Sequence, residues 1–279
     1  MDLFNTELFD DSKQKLAALD DLFLRSSNYR NSSDYFNLLK FINRFPKLSP
    51  FNAFLIHTQN SGVRAVLTAS QWHKYGRVVN HRARPLVILV PFGPVSFVYD
   101  IADTSGPPVP PSILNPFATI GQFDENIFHY TIKNFEKENI KYVENSMRKN
   151  NAGFASIKNG EFSITVNNSY HINEKYSTVI HELAHIFSGH LGVNKTSWWK
   201  SRKLLNHQTA EIEAESVSFL VCKRVGLQTT SEAYLSNYIE NNNEIPPISF
   251  DTILAASGYI EQMGTNVLRS KQKKKEENT

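Results

Sequence analysis

The pentapeptide His181-Glu182-Leu183-Ala184-His185 constrains this chain more than any other stretch. Two histidines four apart stand on one face of an α-helix, one turn above the other. The flanking residues agree with a helix. Tyr176, Val179, Ile180, Leu183, Ala184 and Phe187 recur at helical spacing and form an apolar face beside the histidine row. Asn173 is an acceptable N-cap, and Gly189 or Gly192 can end the helix. The fold must therefore bury one side of this helix and leave two imidazoles and a carboxylate on the other.

That arrangement has a chemical use. Imidazoles on consecutive turns reach one metal ion, and HExxH is a recurrent zinc-binding pattern. Glu182 follows the first His directly, close to a metal-bound water but badly placed as a third ligand. Zinc lowers the pKa of such a water to about 7, and the Glu can then take its proton as general base. A further protein ligand is needed. The stretch Ala210-Glu211-Ile212-Glu213-Ala214-Glu215 reads as helix, with Glu211 and Glu215 on one face and Glu213 pointing elsewhere. One of the pair can bind the metal and the other can accept the N–H of a ligating His. His190 does not match the longer pattern HExxHxxGxxH, so it is expected to cap or line the site. The expectation is a zinc metallopeptidase with Glu182 as catalytic base and a protein or peptide substrate. The strand at 162–166 is the candidate edge strand for pairing with extended substrate backbone.

Composition excludes several other classes. The 279 residues allow one large domain or two modest ones, and 41% apolar with 20% charged is ordinary globular material. The single cysteine, Cys222, rules out an intramolecular disulfide. It lies in an apolar run and reads as a small buried hydrophobe, not a nucleophile. No apolar run is long enough to cross a membrane, and the N-terminus lacks the pattern of a signal peptide. The expectation is a cytoplasmic protein.

The chain reads as α+β with two domains. Residues 12–60 read as helical, with Pro50 in the first turn of one helix. Thr68 opens a short helix through Trp72. The runs 86–90 and 95–99 read as paired strands. Gly106 and five prolines between 107 and 116 mark a linker. This places an N-terminal domain at 1–105, a C-terminal domain at 118–269 and a charged, disordered tail at 270–279. Beyond the linker a helix is expected at 125–138, with strands near 140–144, 153–157 and 162–166. Asn159-Gly160 between the last two is a hairpin signal.

Charge is unevenly spread. Residues 35–99 contain no Asp or Glu but carry Lys40, Arg44, Lys47, Arg64, Lys74, Arg77, Arg82 and Arg84. That segment is +8 in a chain of net +3, which leaves the remainder at −5. Aromatic residues are interleaved: Phe51, Phe54, Trp72, Tyr75, Phe92, Phe97 and Tyr99. Cations that contact phosphates and aromatics that stack bases are the ingredients of single-stranded nucleic-acid binding.

Two stretches together resemble a known family. Asn52-Ala53-Phe54-Leu55-Ile56, Gln59-Asn60, Thr68, Gln71-Trp72, Gly76-Arg77-Val78-Val79 and Val98-Tyr99-Asp100-Ile101-Ala102-Asp103-Thr104 resemble the N-terminal single-stranded-DNA-binding domain of ArdC-like antirestriction proteins. The HELAH helix with Glu211-Ile212-Glu213-Ala214-Glu215 and Phe219-Leu220-Val221-Cys222 resembles that family's zincin-like metallopeptidase domain, and is similar to ImmA/IrrE-type peptidases. The resemblance implies Glu211 as third ligand and Glu215 as its support. It implies DNA contacts from Arg64, Trp72, Lys74, Tyr75, Arg77, Arg82 and Arg84. Where the family has a lysine-rich, glycine-containing turn, this chain has Asn80-His81-Arg82-Ala83-Arg84, which keeps charge but not glycine. Three readings stay open: a DNA-associated protease, a DNA-binding protective protein with a structural or vestigial metal site, and an ImmA-like peptidase that cleaves a repressor without binding DNA.

Overall fold

The structure, a computed structural model, describes residues 31–90, 93–114, 123–148, 152–265 and 267–268. The apolar stripe expected near 16–23 and the charged tail from 270 lie outside the described residues. The chain is an α+β protein of mixed helix and strand. It divides into two units: residues 36–122 with 224–226, and residues 31–35 with 123–223 and those from 227 onward. Among the described residues no helix is long and apolar enough to cross a membrane.

Helix α1 (Ser32–Asn43) leads into the first unit. There follow α2 (Pro50–Gln59), β1 (Val66–Leu67), α3 (Ala69–Lys74), β2 (Val78–Val79), β3 (Leu86–Val90), β4 (Gly93–Asp100), β5 (Thr104–Ser105) and α4 (Pro111–Leu114). The strands form an antiparallel sheet in the order β1-β4-β3 and a separate β2-β5 pair. Pro50 stands in the first turn of α2, and the Ser49 hydroxyl accepts the Asn52 amide. Asn52 and Gln59 lie seven apart, hence on one face of α2. The Asn52 side chain exchanges two hydrogen bonds with the Leu89 main chain, both 2.9 Å. Gln59 does the same with Val87, at 2.9 and 2.8 Å. Two side-chain amides thus occupy the edge groups of β3 that would otherwise invite another strand.

A capping box opens α3. The Thr68 hydroxyl accepts the Gln71 amide at 3.2 Å, and the Gln71 side chain accepts the Thr68 amide at 2.9 Å. This turn drives Trp72 into the core, where it is fully buried and its indole N–H reaches the Tyr99 carbonyl at 2.9 Å. Asp100, also buried, accepts the amides of Arg64 and Ala65. Trp72→Ala is expected to cost about 3–5 kcal/mol. The check is the unfolding free energy from urea denaturation; a loss below about 1 kcal/mol would show that the ring is not a core element.

The second unit holds α5 (Glu125–Lys133), β6 (Ile140–Asn145), β7 (Gly153–Lys158), β8 (Glu161–Asn167), α6 (Ile172–Phe187), α7 (His207–Arg224), α8 (Thr230–Asn241) and α9 (Phe250–Thr265). The helix expected at 125–138 ends at Lys133 and tightens into a 3-10 turn over Phe135–Glu138. β7 and β8 form the expected hairpin. Asn159 (φ 53°) and Gly160 (φ 79°) both take left-handed conformations, the requirement of a type I′ turn. β6 joins β8 in parallel, so the sheet order is β6-β8-β7. This corrects one expectation: 162–166 belongs to the central strand, and β7 lies at the edge. Alternation in sequence marks a strand but not its neighbours.

α6 packs on β7 and β8, and α9 packs against α5 and α6. The core joins Phe162, Ile164 and Val166 of β8 to Val179, Ile180, Leu183 and Phe187 of α6, with Ile212 and Leu220 of α7 also buried. Each such side chain contributes about 1.5–3 kcal/mol on burial. Cys222 is buried here too, and burial pushes its thiol up to about 12. The N-cap of α6 is His171, not Asn173. The Glu174 carboxylate reaches back to the His171 amide at 3.0 Å, so the helix begins two residues earlier than expected.

Candidate metal centre

α6 and α7 bring three of the expected residues together. The Nε2 atoms of His181 and His185 stand 3.2 Å apart. One Glu211 oxygen lies 3.4 Å from His185 Nε2 and the other 3.7 Å from His181 Nε2. A tetrahedral ion bound at about 2.0–2.1 Å separates its ligand atoms by roughly 3.3 Å. The donor set therefore fits a divalent ion with little rearrangement. Among the described residues it is the cluster of His, Cys, Asp or Glu whose ligand atoms all lie within 4.8 Å of one another. Glu215 approaches the opposite nitrogen of His181, with Oε1 3.6 Å from Nδ1. The His185 hydrogen bond holds the Glu211 carboxyl below the usual range, against the opposing effect of burial.

Glu182 shares this cleft. Its Oε2 accepts the Ala155 amide of β7 at 2.7 Å. Lys158 and Glu161 close the hairpin. Counting back by twos from the bonded pair, Ala155 directs its backbone groups away from β8. So the strand beside the cleft is β7, and the expected role of 162–166 has no open edge to serve it. A cavity of about 470 Å³ opens here between Phe154, Ala155, Leu191 and Leu205, with His181, Glu182, His185 and Glu211 in its wall. A smaller cavity of about 200 Å³ touches His181 and Glu182 from the side of Ser177, Thr178, Glu215 and Ser218.

His190, expected to cap or line the site, stands in a second row behind His185 whose other members, Glu213 and Arg202, sequence reasoning missed. His190 Nδ1 is 3.0 Å from His185 Nδ1, and His190 Nε2 is 3.0 Å from Glu213 Oε2. Glu213 is fully buried. It pairs with Arg202 through both oxygens and accepts the Ser249 amide at 2.6 Å. Burial pushes the Glu213 carboxyl up, but His190, Arg202 and the Ser249 amide outweigh it and hold it below the usual range. Burial likewise pushes His190 down, against Glu213. Glycine makes this row possible. Gly189 ends the helix at φ +75°, and a Cβ there would stand 2.0 Å from the Lys200 carbonyl oxygen. The 200–202 chain lies against it, with the Arg202 amide on the Gly189 carbonyl at 2.8 Å. The glycine was legible as a helix stop, but its close approach to a segment eleven residues on was not.

The expected DNA contacts divide. Trp72 is fully buried and presents no face to a base, which corrects its assignment. Arg77 is also corrected. Its guanidinium donates to the Thr104 hydroxyl and carbonyl, both at 2.8 Å, and to the carbonyls of Gly106 and Pro107. It fastens the turn after β5. Arg64, Lys74, Tyr75, Arg82 and Arg84 are exposed. Phe97, absent from the expected contacts, is 51% exposed and shares one face of β4 with Val95.

No protein-family model matches the chain, and no curated protein matches it. Two solved structures of the antirestriction ArdC protein from plasmid R388, one metal-free and one bound to Mn(II), are similar to it, each at 14% identity over 84% of this chain and 98% of theirs, with a TM-score of 0.41.

Proposed function

We propose that the second unit is a zincin-like peptidase domain, a metal-dependent hydrolase whose ion is held by His181, His185 and Glu211. Two imidazoles and one carboxylate in tetrahedral spacing suit zinc. The observation that carries this reading is the convergence of those three ligand atoms beside the Glu182 carboxylate in one cleft. Bound there, zinc would supply Lewis acidity to water and to a scissile carbonyl. The remaining work falls to the chain. Glu182 takes a proton from the attacking water and passes it to the leaving amine. The Ala155 N–H fixes the orientation of that carboxylate. β7, on which Phe154 is exposed, is the strand along which an extended peptide would lie. A purely structural ion has no use for a carboxylate placed as Glu182 is.

For the first unit we propose single-stranded DNA binding, supported by its run of cations without acids and by exposed Tyr75 and Phe97. The two units together suit cleavage of a protein met at DNA, or an antirestriction role of the kind the sequence resemblance implies. The hydrolase reading is tested by elemental analysis of the purified full chain and by cleavage of denatured casein. The expected result is one equivalent of zinc, and cleavage that stops with a chelator and returns with added zinc. Absence of metal at micromolar zinc, or cleavage indifferent to chelation, would sink it.

A further inference from the structure

We infer that His190, Glu213 and Arg202 form a positioning chain that fixes the tautomer and ring angle of His185, and so determines how tightly the site holds its ion. This rests on the proposed reading of His185 as a ligand through Nε2. None of the three residues touches the reacting atoms.

With both imidazoles neutral, the hydrogen bonds leave one consistent assignment. Glu213 is buried with four donors on two oxygens: His190 Nε2, both Arg202 nitrogens and the Ser249 amide. A carboxylate so paired only accepts. His190 must therefore carry its proton on Nε2, which leaves Nδ1 as an acceptor. That Nδ1 faces His185 Nδ1 at 3.0 Å. His185 must then hold its own proton on Nδ1, and its Nε2 lone pair is free. This is the atom that stands 3.2 Å from His181 Nε2 and 3.4 Å from Glu211. The chain is also rigid. The side chains of His190 and Glu213 are 5% and 0% exposed, and Glu213, on α7, is held by His190 just after α6, by Arg202 in the loop before α7 and by the Ser249 amide at the start of α9. Partners of this sort, one bond removed from the ligand, typically change metal affinity by about 10–100-fold when lost.

The test uses the full chain and zinc alone, competed against a chromogenic chelator. His190→Asn keeps an acceptor at the position of Nδ1 but gives up the bond to Glu213. His190→Gln places its amide where Nε2 was and gives up the acceptor. A merely structural strut would be hurt equally by both, whereas a positioning chain is partly rescued by Asn. The expected result is roughly 10–100-fold weaker binding for Gln and for His190→Leu, and an intermediate loss for Asn, which keeps the acceptor but not the Glu213 bond that orients it. Equal affinity in all four proteins, wild-type affinity in Asn, or a loss in Asn as large as in Leu, would overturn the inference. A second readout needs no metal: ¹⁵N shifts of the imidazoles in the apo protein should show His185 as the Nδ1–H tautomer. An Nε2–H tautomer would overturn the inference. Should the wild type bind no zinc, the proposed function fails, and the tautomer still decides this inference.

Discussion

Glu182→Gln is expected to slow peptide cleavage by about 10²–10⁴-fold while the bound metal stays at one equivalent. The side chains are the same size, and the amide oxygen of Gln can still accept the Ala155 N–H that Glu182 Oε2 accepts at 2.7 Å. His181, His185 and Glu211 keep their mutual spacing, because none of them is bonded to Glu182 in the structure. What the variant lacks is a group that can take a proton. The measurements are kcat on a quenched peptide or denatured casein, and metal content on the same sample. A variant that cleaves at the wild-type rate would remove Glu182 from the chemistry. A variant that retains its biological effect with zinc bound would leave the protective, non-proteolytic reading standing and end both peptidase readings. Glu211→Ala provides the contrast. It removes a direct ligand, so its loss of zinc affinity should exceed the 10–100-fold expected for residues one bond removed.

What could be read from sequence follows the range of the interactions. The helix around His181 and His185 was legible because its apolar period repeats within sixteen residues. The Asn159-Gly160 turn was legible because its backbone demand is local. The Thr68 and Pro50 helix starts were legible for the same reason. Failures began where partners are distant. β8 reads as an alternating strand whether it is central or at an edge, and only the parallel register of Ile140 with Phe162 decides. Trp72 looked like a stacking surface because it sits among cations, yet the capping box turns it inward. Glu213 was set aside because it faces away from Glu211 and Glu215. It does face away, but onto Arg202 and His190, which sequence could not bring near.

Binding of a short dT oligomer to the full chain is expected to weaken about a hundredfold between 50 and 200 mM salt. The figure follows from counting cations that remain available. Of the eight between 35 and 99, Arg77 is committed to Thr104, Gly106 and Pro107. Arg44 donates to the Val63 carbonyl and lies over Phe41 and Phe45, and Lys40 lies over Phe36. Lys40 and Arg44 are exposed but held by these contacts, whereas Lys47, Arg64, Lys74, Arg82 and Arg84 are exposed and make no side-chain hydrogen bond or ring contact among the described residues. Five phosphate contacts on a single strand give a slope of about −3.5 in log affinity against log salt, or roughly two decades over a fourfold change. Replacing Lys74, Arg82 or Arg84 by Ala should flatten that slope by somewhat under one unit each. Phe97→Ala tests a different term. If bases stack on the open face of β4, affinity should fall by about 1–3 kcal/mol with the salt slope unchanged. No affinity at 50 mM salt would end the DNA reading, and binding indifferent to salt would mean that these cations are only a solvated surface. Trp72→Ala separates fold from contact. Because its ring is enclosed, any loss of DNA binding in that variant should track the loss of folded protein, whereas a loss from Phe97→Ala should not.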